Sequence, residues 1–264
     1  MTKKIYTGIR SIRWIELNIS EYCNLQCSFC PKSEPDRYPN EKVYMDIDLI
    51  KKITDDVIQY RYSKKLAFCG RGEPSIHKQI EECLSILNRP DRTYESYMVT
   101  NGATLKKNWQ FIKQLDGLEI NTYSTKDKYE ERIKRYRVLD NGRPVTHSYK
   151  PSDKGREEDL STVESYTFTP TNRGGFFSPV LLQNTIYNHA VCTVPKYWIF
   201  IDANGDYSLC CDDWKYKHKI DSVYDKNLFD IYLNNEKLKS IKRELHRGNR
   251  TCTLACSECT RRMY

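Results

Sequence analysis

Three thiols stand within eight residues, Cys23-Asn24-Leu25-Gln26-Cys27-Ser28-Phe29-Cys30, in the spacing C-x3-C-x2-C. Soft thiolate sulfur suits iron–sulfur chemistry, and three thiolates on one loop can hold three irons of a four-iron cubane. The remaining iron then lacks a protein ligand. An open coordination position is where a substrate or cosubstrate binds, as at catalytic rather than structural zinc. A zinc site and three unrelated buried thiols are the alternatives. Zinc knuckles more often use two separated pairs, and free cysteine is commonly a small buried apolar residue.

A second group of thiols lies toward the C-terminus. Cys192 precedes the apolar run Tyr197-Trp198-Ile199-Phe200-Ile201, a turn Asp202-Ala203-Asn204-Gly205 and a returning strand to Cys210. Asn-Gly between two strand-like runs predicts a hairpin, which brings Cys192 and Cys210 together. A predicted helix over 235–247 carries the chain to Cys252, Cys256 and Cys259. Four thiolates from two segments saturate either a second cluster or a zinc ion, and spacing alone does not separate the two.

The elements that must position these residues follow from periodicity. Residues 12–19 have strand composition and run into the cysteine loop, so Cys23, Cys27 and Cys30 sit at the C-terminal end of a first strand. In parallel α/β folds that end is where sites are built. A polar loop over 31–45 leads to a helix over 46–60 with Asp46 as N-cap. The pattern then gives a strand at 66–68, helix 77–88, strand 94–100, helix 105–115, strand 117–121, helix 127–139 and strands at 144–149 and 165–169. Repeated β–α units imply parallel strands with right-handed crossovers. Between the first two of these units lies Cys69-Gly70-Arg71-Gly72-Glu73-Pro74, a glycine turn that a ligand can approach closely. A polar excursion over 150–163 precedes the last strand. The turn Asn172-Arg173-Gly174-Gly175 follows it and places Arg173 on the cavity side.

The cysteine loop, with Phe29 before its third thiol, resembles that of the radical S-adenosylmethionine (SAM) enzymes, whose free iron chelates SAM. Gly70, Gly72, Glu73 and Pro74 are similar to that family's Gly-Gly-Glu-Pro segment, with Arg71 in place of its first glycine. Thr100-Asn101-Gly102 resembles its ribose-side turn, and Thr122 and Ser124 take the position of its SAM carboxylate contacts. The resemblance implies an α/β fold, an open partial (β/α)6 TIM-like barrel, over residues 1–180. Cys192 and Cys210, with Gly205 between them in C-x12-G-x4-C, resemble the auxiliary-cluster domain of SPASM and twitch enzymes. Too few cysteines remain for two auxiliary clusters. The shorter twitch version over 181–264 is therefore expected, with Cys192, Cys210, Cys256 and Cys259 as ligands of a second [4Fe–4S] cluster. Cys252 competes with Cys256, and Cys211 is a weaker candidate. Asn172–Gly175 and His246-Arg247-Gly248 resemble segments of the short radical SAM dehydrogenases that act on 2-deoxy-scyllo-inosamine.

These likenesses imply hydrogen abstraction by a 5′-deoxyadenosyl radical. The expected outcome is oxidation of a hydroxyl on a small polyol, sugar or aminocyclitol, with the auxiliary cluster accepting an electron. Arg173 would bind the substrate hydroxyl, and Asp212 or Asp213 would help take its proton. A flavodoxin or ferredoxin is the expected reductant. Radical modification of a peptide is the competing enzymatic reading. The eleven or so residues before the first strand leave no room in this chain for a leader-binding domain, which counts against it. A zinc-containing nucleic-acid-binding module is the non-enzymatic reading. The 264 residues carry a net charge of +8, but lysines and arginines are interleaved with acids, as in Glu130–Arg137, rather than concentrated. No apolar run reaches the ~20 residues of a membrane helix. The N-terminus also lacks a signal-peptide core, so a cytoplasmic setting is expected, in which eleven cysteines are not a disulfide framework.

Overall fold

The computed structural model describes residues 8–27, 29–123, 125–149 and 189–260. One eight-stranded sheet organises them. Its strands are β1 (Trp14–Leu17), β2 (Lys65–Phe68), β3 (Glu95–Thr100), β4 (Gly117–Thr122), β5 (Thr146–Tyr149), β6 (Trp198–Ile201), β7 (Asp206–Ser208) and β8 (Lys219–Ser222), in the order β5-β4-β3-β2-β1-β6-β7-β8. From β5 to β6 every neighbour is parallel; β7 and β8 join antiparallel.

Helices α1 (Ile47–Gln59), α2 (Ile80–Leu87), α3 (Leu105–Ile112) and α4 (Lys126–Arg135) alternate with the strands. Amphipathic spacing explains α1, where Leu49, Ile50, Ile53 and Val57 are buried on one face. Asp46 starts it, its carboxylate accepting from Asp48 N at 2.8 Å. Helix α2 begins only at Ile80, because Pro74–Ile76 forms a separate 3-10 turn held by Glu73. The core lies between this helical layer and the sheet, with Ile15, Leu17, Leu66, Phe68, Met98, Ile120, Ile199 and Ile201 almost wholly buried.

The expected hairpin forms, its turn held by the Asp202 carboxylate, which accepts from Asn204 N and Asp206 N. Its first strand does more than the hairpin required. β6 pairs parallel with β1, Trp14 against Trp198 through Leu17 against Ile201, so the C-terminal segment extends the same sheet. An apolar four-residue run is stable there because both of its flanks are paired. The one-turn α5 (Val194–Tyr197), then α6 (Leu228–Asn234), α7 (Glu236–His246) and the short α8 (Leu254–Ser257) complete the C-terminal part. The strand expected at 165–169, the excursion at 150–163 and the turn carrying Arg173 lie outside the described residues. No helix of the described residues is long and apolar enough to cross a membrane.

Candidate functional site

The C-terminal ends of β1 to β4 open onto a cavity of about 240 Å³. Cys23, Cys27, Cys30 and Phe29 line it, as do Gly70, Gly72, Glu73, Thr100 and Asn101. The loop that carries the thiols is fixed by its backbone. Asn40 clamps Cys23 from both sides, accepting from Cys23 N at 2.9 Å and donating to Cys23 O at 2.7 Å. Residues 43–45 brace the approach, through Glu21 N to Val43 O and Met45 N to Ile19 O, both at 2.9 Å. Beyond the loop, Cys30 N donates to Cys27 O at 2.9 Å, and Pro31 opens a 3-10 turn.

The glycine turn after β2 locks against this loop. Asn18, buried just past β1, accepts from Arg71 N at 3.0 Å and Gly72 N at 3.2 Å, and donates to Glu21 at 2.7 Å. Glu73 N donates to Tyr22 O at 2.9 Å. Gly72 is required for this approach: a Cβ there would stand 1.8 Å from the Ser20 carbonyl oxygen.

Glu73 is committed to the protein. Its carboxylate accepts from Ser75 N at 2.9 Å, from Asn101 N at 2.6 Å and from the Thr100 hydroxyl. Burial pushes its pKa up, and those hydrogen bonds pull it partly back. Glu73 therefore ties the β2 turn to the β3 turn, and Pro74 starts the 3-10 turn behind it. Asn101 in turn donates to Asn24 Oδ1 at 2.9 Å, next to Cys23. Thr122 is buried and accepts from Arg132 Nη1 at 3.0 Å. Arg132 and Lys128 flank a smaller adjoining recess lined also by Asn101 and Tyr123. Ser124 and Arg173 lie outside the described residues.

A second, small cavity of about 30 Å³ is lined by Cys192, Cys210, Cys256 and Cys259. Cys252 is not among its lining residues, whereas Cys211, one peptide bond from Cys210, lines the first cavity instead. Asp212 lines both. Cys210, Cys211 and Asp212 hold their ligand atoms within 4.8 Å of one another. Asp213 differs from its neighbour. Its carboxylate accepts from Tyr216 N at 3.1 Å, Lys217 N at 3.0 Å, His218 N at 2.7 Å and the His218 ring at 2.6 Å, so it holds its own loop.

The donor sets fit iron–sulfur clusters. In each cavity thiols from separate positions converge with no disulfide, since all eleven cysteines are free. Burial first, then the neighbouring Glu73 and thiols, pushes Cys23 up to about 12; burial does the same to Cys256, beside Cys252, Cys192 and Cys259. Such groups are poor thiolates until a metal displaces their protons. Sequence reasoning missed Asn18, Asn40 and Arg132, whose types carry no spacing signal. Arg71 was visible only as a departure from the family's glycine. Its guanidinium is buried beside the first cavity, donating to Asp213 O at 2.8 Å and lying over the Phe200 and Trp214 rings.

Comparison with known proteins agrees with this layout. A model of the radical SAM superfamily matches residues 17–141, and a model of the SPASM iron–sulfur cluster-binding domain matches residues 192–260. The S-adenosyl-L-methionine-dependent 2-deoxy-scyllo-inosamine dehydrogenase of Niallia circulans is 22% identical over 245 residues, spanning 93% of this chain and 91% of that protein. The GTP 3',8-cyclase of Campylobacter fetus is 30% identical over 138 residues, 50% of this chain and 41% of that enzyme. Among solved structures, BtrN in complex with AdoMet and 2-DOIA superposes with a TM-score of 0.73 at 21% identity, over 95% of this chain and 93% of that one. This last likeness establishes the fold: a partial barrel with a C-terminal cysteine-bearing extension. Residues 17–141 thus carry the match to the radical SAM superfamily, and residues 192–260 the match to the SPASM iron–sulfur cluster-binding domain.

Proposed function

We propose that this enzyme is a dehydrogenase that oxidises a hydroxyl of a small polyol, sugar or aminocyclitol. The observation that carries the reading is Asp212, a buried carboxylate in the wall shared by both cysteine cavities. Cys23, Cys27 and Cys30 would hold the SAM-binding cluster, and Cys192, Cys210, Cys256 and Cys259 the auxiliary one. When bound, these groups and SAM supply one-electron chemistry: removal of a hydrogen atom from an unactivated C–H bond, and an acceptor for the electron left over.

The chain's own residues do the rest. Alcohol oxidation must also release the hydroxyl proton, and Asp212 takes it at its carboxylate. Asp213, saturated within its loop, positions Asp212 instead. Phe29 and Tyr123, with ring centroids 5.6 Å apart, wall the cavity on the side of β4 and keep water from the reacting centre. Arg132 and Lys128, which line the adjoining recess, would offer positive charge to the carboxylate of SAM. Arg173 is the proposed anchor for the substrate hydroxyl. A flavodoxin or ferredoxin supplies electrons in a reducing cytoplasm, which suits free thiols.

The Niallia circulans relative, named for a dehydrogenase acting on 2-deoxy-scyllo-inosamine, supports the choice of substrate class. The test is anaerobic turnover with SAM, dithionite and a panel of polyols and aminocyclitols. A ketone product in the native chain, lost in Asp212→Asn while SAM cleavage persists, is expected. A product that keeps its hydroxyl, or an Asp212→Asn chain with native ketone yield, overturns the reading.

A further inference from the structure

Lys32 follows the cysteine loop by two residues and is wholly buried, with no exposed side-chain surface. Among the described residues no acceptor lies within hydrogen-bond distance of its Nζ. Its one carboxylate neighbour among the described residues is Glu21 Oε2 at 3.7 Å. That carboxylate is already shared: Tyr38 OH donates to Oε2 at 3.2 Å and Asn18 Nδ2 to Oε1 at 2.7 Å. The ammonium otherwise sits 4.9 Å from the centre of the Tyr38 ring. Its ionisable neighbours are Glu21, Cys30, Cys23 and, with the opposite effect, Lys217.

A buried ammonium is costly unless paired and hydrogen-bonded. Among the described residues Lys32 has a single distant and divided carboxylate partner. The missing negative charge belongs to the cysteine loop, where three thiolates converge once they bind iron. We propose that Lys32 is the charge that sets the reduction potential of the cluster held by Cys23, Cys27 and Cys30. Reduction adds an electron to a site with little water to screen it, so a buried ammonium two residues beyond the last thiol of the loop favours the reduced form. Glu21 opposes that effect by neutralising part of the lysine. The pair thus acts as an adjustable counter-charge, built from the segment entering the cysteine loop and the turn leaving it. Lys32 touches neither substrate nor SAM cavity in this arrangement and is a tuning residue rather than a catalytic one.

This inference rests on the assignment of Cys23, Cys27 and Cys30 as ligands. The experiment is a redox titration of the anaerobically loaded full chain, followed by electron paramagnetic resonance of the signal that SAM alters. Lys32→Met, which keeps the volume and removes the charge, is expected to shift the midpoint to more negative potential. Lys32→Arg should stay near the native value, and Glu21→Gln should shift it to more positive potential. A Lys32→Met chain with native iron content and an unmoved midpoint overturns the proposal. Should Lys32→Met fail to load iron, Glu21→Gln decides: an upward shift supports the proposal and an unmoved midpoint refutes it. A SAM-sensitive signal that survives Cys23/Cys27/Cys30→Ala would instead refute the ligand assignment, which separates the two failures.

Discussion

Gly72→Ala tests the closest packing at the site. A Cβ at this position would stand 1.8 Å from the Ser20 carbonyl oxygen and 2.7 Å from that of Tyr22. Both are backbone atoms of the segment entering Cys23, so no flexible side chain can yield. To reach even 3.0 Å the two chains must part by about 1.2 Å, the difference between 3.0 and 1.8 Å. Overpacking of this kind costs about 1–3 kcal/mol. Losing the Glu73 N to Tyr22 O hydrogen bond adds about 1 kcal/mol. The expected total is about 2–4 kcal/mol, read as a fall in melting temperature of about 5–15 °C for a chain of this size. The same displacement moves the glycine turn away from the cysteine loop. A misplacement of about 1 Å costs on the order of 100-fold in rate, so SAM cleavage should fall at least that far. Gly142→Ala is the control. Its φ is +78° and nothing lies within 4 Å of a Cβ, so only backbone strain of about 1 kcal/mol is expected. Thermal unfolding and SAM cleavage of both variants give the comparison. A Gly72→Ala chain no less stable than Gly142→Ala, with native SAM cleavage, would refute the close approach of these two segments.

Asn18→Ala should cost about 2–4 kcal/mol, because it leaves the buried Arg71 N–H and the half-buried Gly72 N–H without their acceptor; chemical denaturation measures it, and a loss under about 0.5 kcal/mol would contradict the bridge. Cys256→Ala should abolish the auxiliary cluster while Cys252→Ala leaves it in place, since only the former lines the second cavity; iron content reads the difference, and the opposite pattern would exchange their roles. Lys242 sits over the Tyr232 ring and is held at about 8 by burial and then by Lys239, against a usual 10.5. Between those values the unfolded chain keeps a proton that the folded chain has released, so this group makes stability rise with pH from about 8 to 10.5. Lys242→Met should therefore stabilise the chain at pH 7 by about 1–2 kcal/mol, allowing for the lost Tyr232 hydrogen bond; the gain should shrink as pH approaches 10.5, and a pH-independent effect would show that Lys242 carries no such cost.

Much of the architecture was legible because its signals are local. The period-2 and period-3.6 patterns put β1 to β5 and α1 to α4 within a few residues of their observed places. Asp46 and Asn204-Gly205 marked their cap and turn through side-chain chemistry that acts over two to four residues. The cysteine spacings identified two candidate centres, because metal ligands must cluster whatever the surrounding fold. The parallel pairing of β6 with β1 was not legible: Trp198–Ile201 reads equally well as a hairpin strand alone, and its second partner lies far away in sequence. Asn18 escaped for a similar reason, since a buried amide that joins two loops looks like any polar residue after a strand. Asp212 and Asp213 could not be ranked by position; only the four donors around Asp213 and the two cavities beside Asp212 tell them apart. Arg71 stands out in the sequence as an exception to a family pattern, but its burial against Asp213 follows from tertiary packing that the hexapeptide around it does not encode.

The measurement that bears most directly on the account is iron per chain after anaerobic loading. Two four-iron clusters predict about eight irons in the native chain. Replacing Cys23, Cys27 and Cys30 by alanine should leave about four and abolish SAM cleavage. Replacing Cys192, Cys210, Cys256 and Cys259 should also leave about four, but with SAM cleavage retained. A native value near four that falls to none with the first set would leave the second cavity without a cluster. The electron acceptor on which dehydrogenation depends would then be missing, and the proposed reaction would be contradicted.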